Sequence, residues 1–126
     1  MTTPADKLPV AKLNLPKGFK ISVYASGIPN ARTLRMGDKG TLFVGNWQGN
    51  KVWAVTDGGK KKKVIYEGLD WPNGLAFKNG TLYIAEHTRI SKAEGIEDHL
   101  DNPPKLVTIY DKLGQERPHG WRYLAI

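Results

Sequence analysis

The sequence predicts an all-β chain built from repeated four-stranded units, and three observations predict it. Short segments alternate apolar and polar residues with period two, each bounded by Gly, Pro or Asn. Fourteen glycines and eight prolines supply the turns. Three sets of anchors also recur at a nearly fixed spacing. Gly40-Thr41-Leu42-Phe43 returns as Gly80-Thr81-Leu82-Tyr83, 40 residues on. Val23-Tyr24, Ile65-Tyr66 and Ile109-Tyr110 are spaced by 42 and 44, and Pro29, Pro72 and Pro118 by 43 and 46. Four short strands per unit at a period of roughly 40–50 residues is the pattern of a β-propeller blade.

The elements follow in order. Residues 1–18, rich in Pro, Lys and Thr, read as an irregular lead-in. Phe19–Tyr24 alternates strictly and reads as a strand. Thr33–Met36, Thr41–Gly45, Lys51–Val55 and Lys63–Tyr66 are the four strands of the first unit. Gly37-Asp38-Lys39-Gly40 forms the first turn between them, and Gly58-Gly59 opens another that carries Lys60 to Lys63 as a solvated hairpin turn. The second unit comprises Gly74–Phe77, Thr81–Ala85, Arg89–Lys92 and Leu106–Tyr110, with Asn79-Gly80 as a hairpin turn of the favoured type. Residues 93–104 read as an insertion holding one helical turn near Glu94–Leu100, ended by Pro103-Pro104.

A propeller closes with about 4–8 blades. The chain supplies about two four-stranded blades plus flanking strands. Residues 19–126 are therefore expected to be the N-terminal portion of a longer propeller domain, incomplete at its C-terminus. On their own, two blades leave sheet edges and an apolar face open.

Composition excludes several classes. With 40% hydrophobic and 25% charged residues the chain is ordinary for a globular domain. No apolar run approaches the ~20 residues of a membrane span, and no signal-peptide core is seen at the N-terminus. Without cysteine there is no disulfide or thiolate chemistry. The net charge is +7, but no nucleic-acid motif accompanies the Lys60–Lys63 run, so no nucleic-acid partner is expected.

Functional side chains of a propeller collect at one face, on the loops before the inner strands and on the turns between second and third strands. Here these are Asn30, Trp71–Asn73 and His119–Arg122 in the first class, Asn46–Gln48 and Glu86–His87 in the second. Most have an ordinary structural role open to them. Asn after Pro makes turns, and the four tryptophans suit packing between blades. Glu97, Asp98, His99 and Asp101 lack the spacing of a calcium loop and read as a solvated acidic loop. His119 stands apart. It follows Pro118 where Asn30 and Asn73 follow Pro29 and Pro72, and Gly120 beside it lets a ligand approach.

Phe19-Lys20-Ile21-Ser22-Val23-Tyr24-Ala25, Pro72–Phe77 with Leu82–Glu86, and above all His119-Gly120-Trp121-Arg122-Tyr123-Leu124-Ala125-Ile126 resemble the sorbosone dehydrogenase branch of the soluble glucose/sorbosone dehydrogenases. The resemblance covers nearly all of this chain but about the first third of a family member. It implies a six-bladed propeller that uses pyrroloquinoline quinone (PQQ) and calcium to oxidise a sugar, in the periplasm or outside the cell. It implies His119 as the general base, with Asn73, Trp71 and Arg122 near the quinone and the calcium ligands on further blades. Pro118 stands where the glucose dehydrogenases carry an acidic residue. Two other readings are open: a non-catalytic binding propeller, and a lactonase of the gluconolactonase kind, for which Glu86 and Asn46 are the metal-ligand candidates.

Overall fold

The computed structural model describes residues 4–113 and residue 124. Eight strands form: β1 (Ala31–Met36), β2 (Leu42–Asn46), β3 (Val52–Thr56), β4 (Lys61–Tyr66), β5 (Gly74–Lys78), β6 (Thr81–Ala85), β7 (Ile90–Glu94) and β8 (Val107–Tyr110). They make two antiparallel sheets in simple meander order, β1-β2-β3-β4 and β5-β6-β7-β8. The only helical pieces among the described residues are 3-10 turns of three residues each. Every strand of both units lies within two residues of its sequence-predicted position.

The turns explain the meander. Asn79 and Gly80 both have positive φ, 51° and 79°. That conformation matches the twist of the strands it joins and pairs Lys78 with Thr81. Along the strands, alternate residues turn to the space between the sheets. Phe43, Ala54 and Ile65 of the first sheet meet Leu75, Leu82, Ile84 and Ala93 of the second, with Leu69 and Ile96 closing the ends. Phe43 and Phe77 stack across this core with ring centroids 5.7 Å apart. The inner strands β1 and β5 lie beside each other.

Three expectations are corrected. Phe19–Tyr24 is not a strand. Its alternation is sound, but a strand needs a neighbour to complete its backbone bonds, and among the described residues none pairs with it. Instead the chain from Val23 to Ile28 lies along the outer face of the first sheet, where Lys62 Nζ donates to Ser26 O at 2.6 Å. The lysine run is not a turn either. The turn is Asp57–Gly59, and Lys61, Lys62 and Lys63 open β4.

The acidic insertion, thirdly, is more than a solvated loop, and its helical turn is shorter than expected: β7 runs on to Glu94 and the turn is confined to Ile96–Asp98. Glu97 accepts hydrogen bonds from the backbone N–H groups of Lys39, at 3.0 and 3.1 Å, and Thr41, at 3.2 Å. Asp98 pairs with Lys39, and Asp101 with Lys63 at 2.8 Å. Their hydrogen bond holds the Lys39 ammonium above its usual pKa and the Asp98 carboxyl below its own. Tyr66 Oη donates to Pro104 O at 2.5 Å. The insertion thus clamps the second unit to the turn and outer strand of the first.

Candidate functional site

At one end of the two sheets, the loop before each inner strand is tied to the loop between that sheet's second and third strands. In the first sheet Trp47 N donates to Asn30 O and Asn46 Nδ2 to Pro29 O, both at 2.9 Å. In the second, His87 N donates to Asp70 O at 2.7 Å and Asp70 N to Glu86 Oε1 at 2.9 Å. The partners recur at an offset of 40 residues: Asn30 with Asp70, Asn46 with Glu86, Trp47 with His87. Contacts on the ring repeat as well. The Arg32 guanidinium lies 5.4 Å from the Trp47 ring, and the Trp71 ring lies 5.5 Å from that of His87. Backbone bonds from Trp71 N to Gly49 O (3.1 Å) and Leu69 N to Asn50 O (3.0 Å) join the two halves. The two loop classes expected to share one end therefore do so.

Of the residues proposed from sequence, Asn73 and Trp71 are described; His119 and Arg122 lie outside the described residues. Asn73 is fully buried, and its Oδ1 accepts a hydrogen bond from Thr33 Oγ1 on β1 at 3.1 Å. Its N–H donates to Trp71 O at 2.7 Å, across Pro72. Trp71 is half-buried with φ of 52°, a conformation that strains a bulky residue by about 1–3 kcal/mol. It is held there by the bond to Gly49 O and by the His87 ring. Gly45 makes room for this loop: a Cβ there would sit 2.5 Å from Pro72 O.

The repeat is realigned by this geometry. Sequence spacing sets Pro29-Asn30 against Pro72-Asn73, but Asn30 occupies the place of Asp70. Strand residues such as Leu34 and Leu75 correspond at 41, so the second unit holds one residue more between Asp70 and its first strand. Asp70 and Thr33 were not singled out from sequence. The signal for Asp70 was present, 40 residues after Asn30; Thr33 carried none.

The charged members of the site differ in exposure: Asp70 and Arg89 keep more than a third of their side-chain surface, and Glu86 is buried. Glu86 is 2% exposed and pairs through Oε2 with Arg89 Nε. Asp70 Oδ2 lies 3.6 Å from His87 Nδ1, just beyond hydrogen-bond length. Glu86 and Asn46, the candidates for a lactonase metal, are engaged with the fold itself; Asn46 Oδ1 also accepts from Lys51 N at 3.1 Å. Among the described residues no three of His, Cys, Asp or Glu gather as a metal-ligand set.

No family model, no curated protein and no solved structure matches the chain. Fold and site together define an all-β protein of two meander sheets with a polar, aromatic-lined loop cluster at one end.

Proposed function

We propose that the chain is the N-terminal part of a six-bladed β-propeller quinoprotein, a PQQ-dependent dehydrogenase acting on an aldose or a sorbosone-type sugar. The observation that carries this reading is the gathering of the 29–30, 46–50, 69–73 and 86–89 loops at one end of two sheets whose inner strands lie side by side. That is where a propeller holds a ligand over its channel. The resemblance of the tail from His119 supplies the chemistry.

PQQ is flat and anionic, so its site calls for aromatic planes and cations. Trp71 offers the half-buried ring of a loop fixed on both sides, and Arg122 is the cation the resemblance brings. Asn73 stays the candidate amide near the quinone and also has a part in the fold. Its Oδ1 is taken by Thr33, so it shapes the Trp71-Pro72-Asn73 loop. Bound PQQ would accept the hydride leaving the sugar carbon. His119 would take the hydroxyl proton, a task suited to an imidazole whose pKa lies near working pH. Calcium ligands belong to the further blades, and the resemblance implies a periplasmic or extracellular setting.

The test is dye-linked sugar oxidation by the protein with its further blades, supplied with PQQ and calcium. The 126-residue chain alone is expected to be inactive. His119→Asn should cut turnover by about 10²–10⁴ while PQQ titrates as before. Near-normal kcat in that variant overturns the assignment of the base. A protein that binds sugar but never reduces the dye overturns the dehydrogenase reading in favour of a binding propeller.

A further inference from the structure

Two strands end the sheets on their outer side, and they are built differently. The β4 edge opens with Lys61, Lys62 and Lys63, a charged row that resists pairing with another chain. The β8 edge has no such guard. Val107, Thr108, Ile109 and Tyr110 are all exposed, with Val107, Ile109 and Tyr110 each near half of their full surface. An uncharged, β-prone edge of this kind is a template for strand addition.

The sequence around β8 also says which strand it fits. Set antiparallel to a second copy of itself with Thr108 on the two-fold axis, Val107 meets Ile109, Leu106 meets Tyr110, and Lys105 meets Asp111. Each pairing occurs twice, once on either side of the axis. Thr–Thr, aromatic–aliphatic and opposite-charge pairs are the ones that stabilise antiparallel neighbours. Opposite residues must share a face of the sheet, so the axis can move only by a whole residue. At Ile109 it sets Leu106 against Lys112 and Val107 against Asp111. At Val107 it sets Lys105 against Ile109 and Asp111 against Pro103, so charge selects the register centred on Thr108. Lys105 and Asp111 are both exposed, and neither makes an ion pair among the described residues.

We propose that β8 is a self-complementary docking edge through which two copies of this chain join, β8 to β8, centred on Thr108. The contact is isologous and closes at two copies. It uses the outer strand and leaves the loop cluster open, so it does not depend on the quinoprotein reading.

Charge reversal tests it on the whole chain. Wild type should dimerise reversibly in sedimentation equilibrium. Lys105→Asp and Asp111→Lys should each weaken the dimer about tenfold, because each replaces two attractive pairs with two repulsive ones. An equimolar mixture of the two variants should form a heterodimer at wild-type strength. The chain has no cysteine, so Thr108→Cys should oxidise to a linked dimer, its two Cα atoms facing each other within disulfide reach. Val107→Cys, displaced from its own copy by two residues, should not. Two results overturn the proposal. One is a wild-type monomer at every concentration, which would make the register shift between β7 and β8 a sufficient guard. The other is a dimer indifferent to both charge reversals and to the position of the cysteine.

Discussion

Replacing Glu86 should release the loop that carries Trp71, Pro72 and Asn73. Its carboxylate is 2% exposed and makes two charged hydrogen bonds, from Asp70 N–H at 2.9 Å and from Arg89 Nε. Such bonds contribute about 1.5–3 kcal/mol each. The Arg89 side chain is 39% exposed, so water takes up part of what it loses. Glu86→Ala should therefore cost about 2–4 kcal/mol, and Glu86→Gln, which keeps an acceptor for Asp70, about 1–2 kcal/mol. The global loss is read from the urea midpoint at constant slope. The local loss is read from amide exchange, where the Asp70 N–H should lose more protection in the Ala variant than the β6 amides do. A Glu86→Ala protein within about 0.5 kcal/mol of wild type, the scale of an ordinary surface change, with Asp70 still protected, would refute the argument that this carboxylate holds the loop.

Gly45→Ala should cost about 1–3 kcal/mol in urea unfolding, since its Cβ would lie 2.5 Å from Pro72 O and 3.2 Å from Asn73 O, and backbone must move to admit it. Tyr66 is pushed up to about 12 by burial, above the ~10 of an unfolded chain. Its contribution is fully present below pH ~10 and is lost as pH rises through about 12, because the unfolded state ionises first. Wild type should therefore lose stability relative to Tyr66→Phe over that window; parallel curves would count against the burial argument.

Much of the fold was legible because strands and turns are written locally. Period-two alternation located all eight strands, and Asn79-Gly80 carried its own turn geometry. What failed depended on partners. Phe19–Tyr24 has the pattern of a strand, but hydrogen bonds to a neighbour make a strand, and no local rule supplies one. The acids at 97–101 gave no hint of their partners because Glu97 bonds to backbone N–H groups, which any sequence possesses. The site was legible at the level of loops, and the repeat was misaligned at the level of residues. Pro-Asn is a turn signal wherever it occurs, so it aligned Asn30 with Asn73, while the hydrogen bonds aligned Asn30 with Asp70.

The corrected alignment bears on the first sheet. Leu34, Met36, Leu42 and Val44 share one face of it, opposite to Phe43, and they pair as Leu34 with Val44 and Met36 with Leu42. Their counterparts in the second sheet are Leu75, Phe77, Leu82 and Ile84, paired in the same way. In the second sheet Leu75, Leu82 and Ile84 are fully buried against the first sheet, while in the first Leu34 and Met36 remain about half exposed. The same surface, built twice, is covered in one copy and only in part in the other, where the Val23–Ile28 chain lies over it and Val44 is buried but Leu34 and Met36 are not. Burying apolar area yields about 25 cal/mol per Å², so the part left open around Leu34 and Met36 is a standing drive toward association. Repetition also specifies the shape of the cover: a sheet presenting residues like Phe43, Ala54 and Ile65. In the proposed propeller a neighbouring blade would present them, which makes the exposure of Leu34 and Met36 a test of the reading. A form carrying further blades should protect both side chains from solvent, and a form that leaves them exposed would speak against a closed ring.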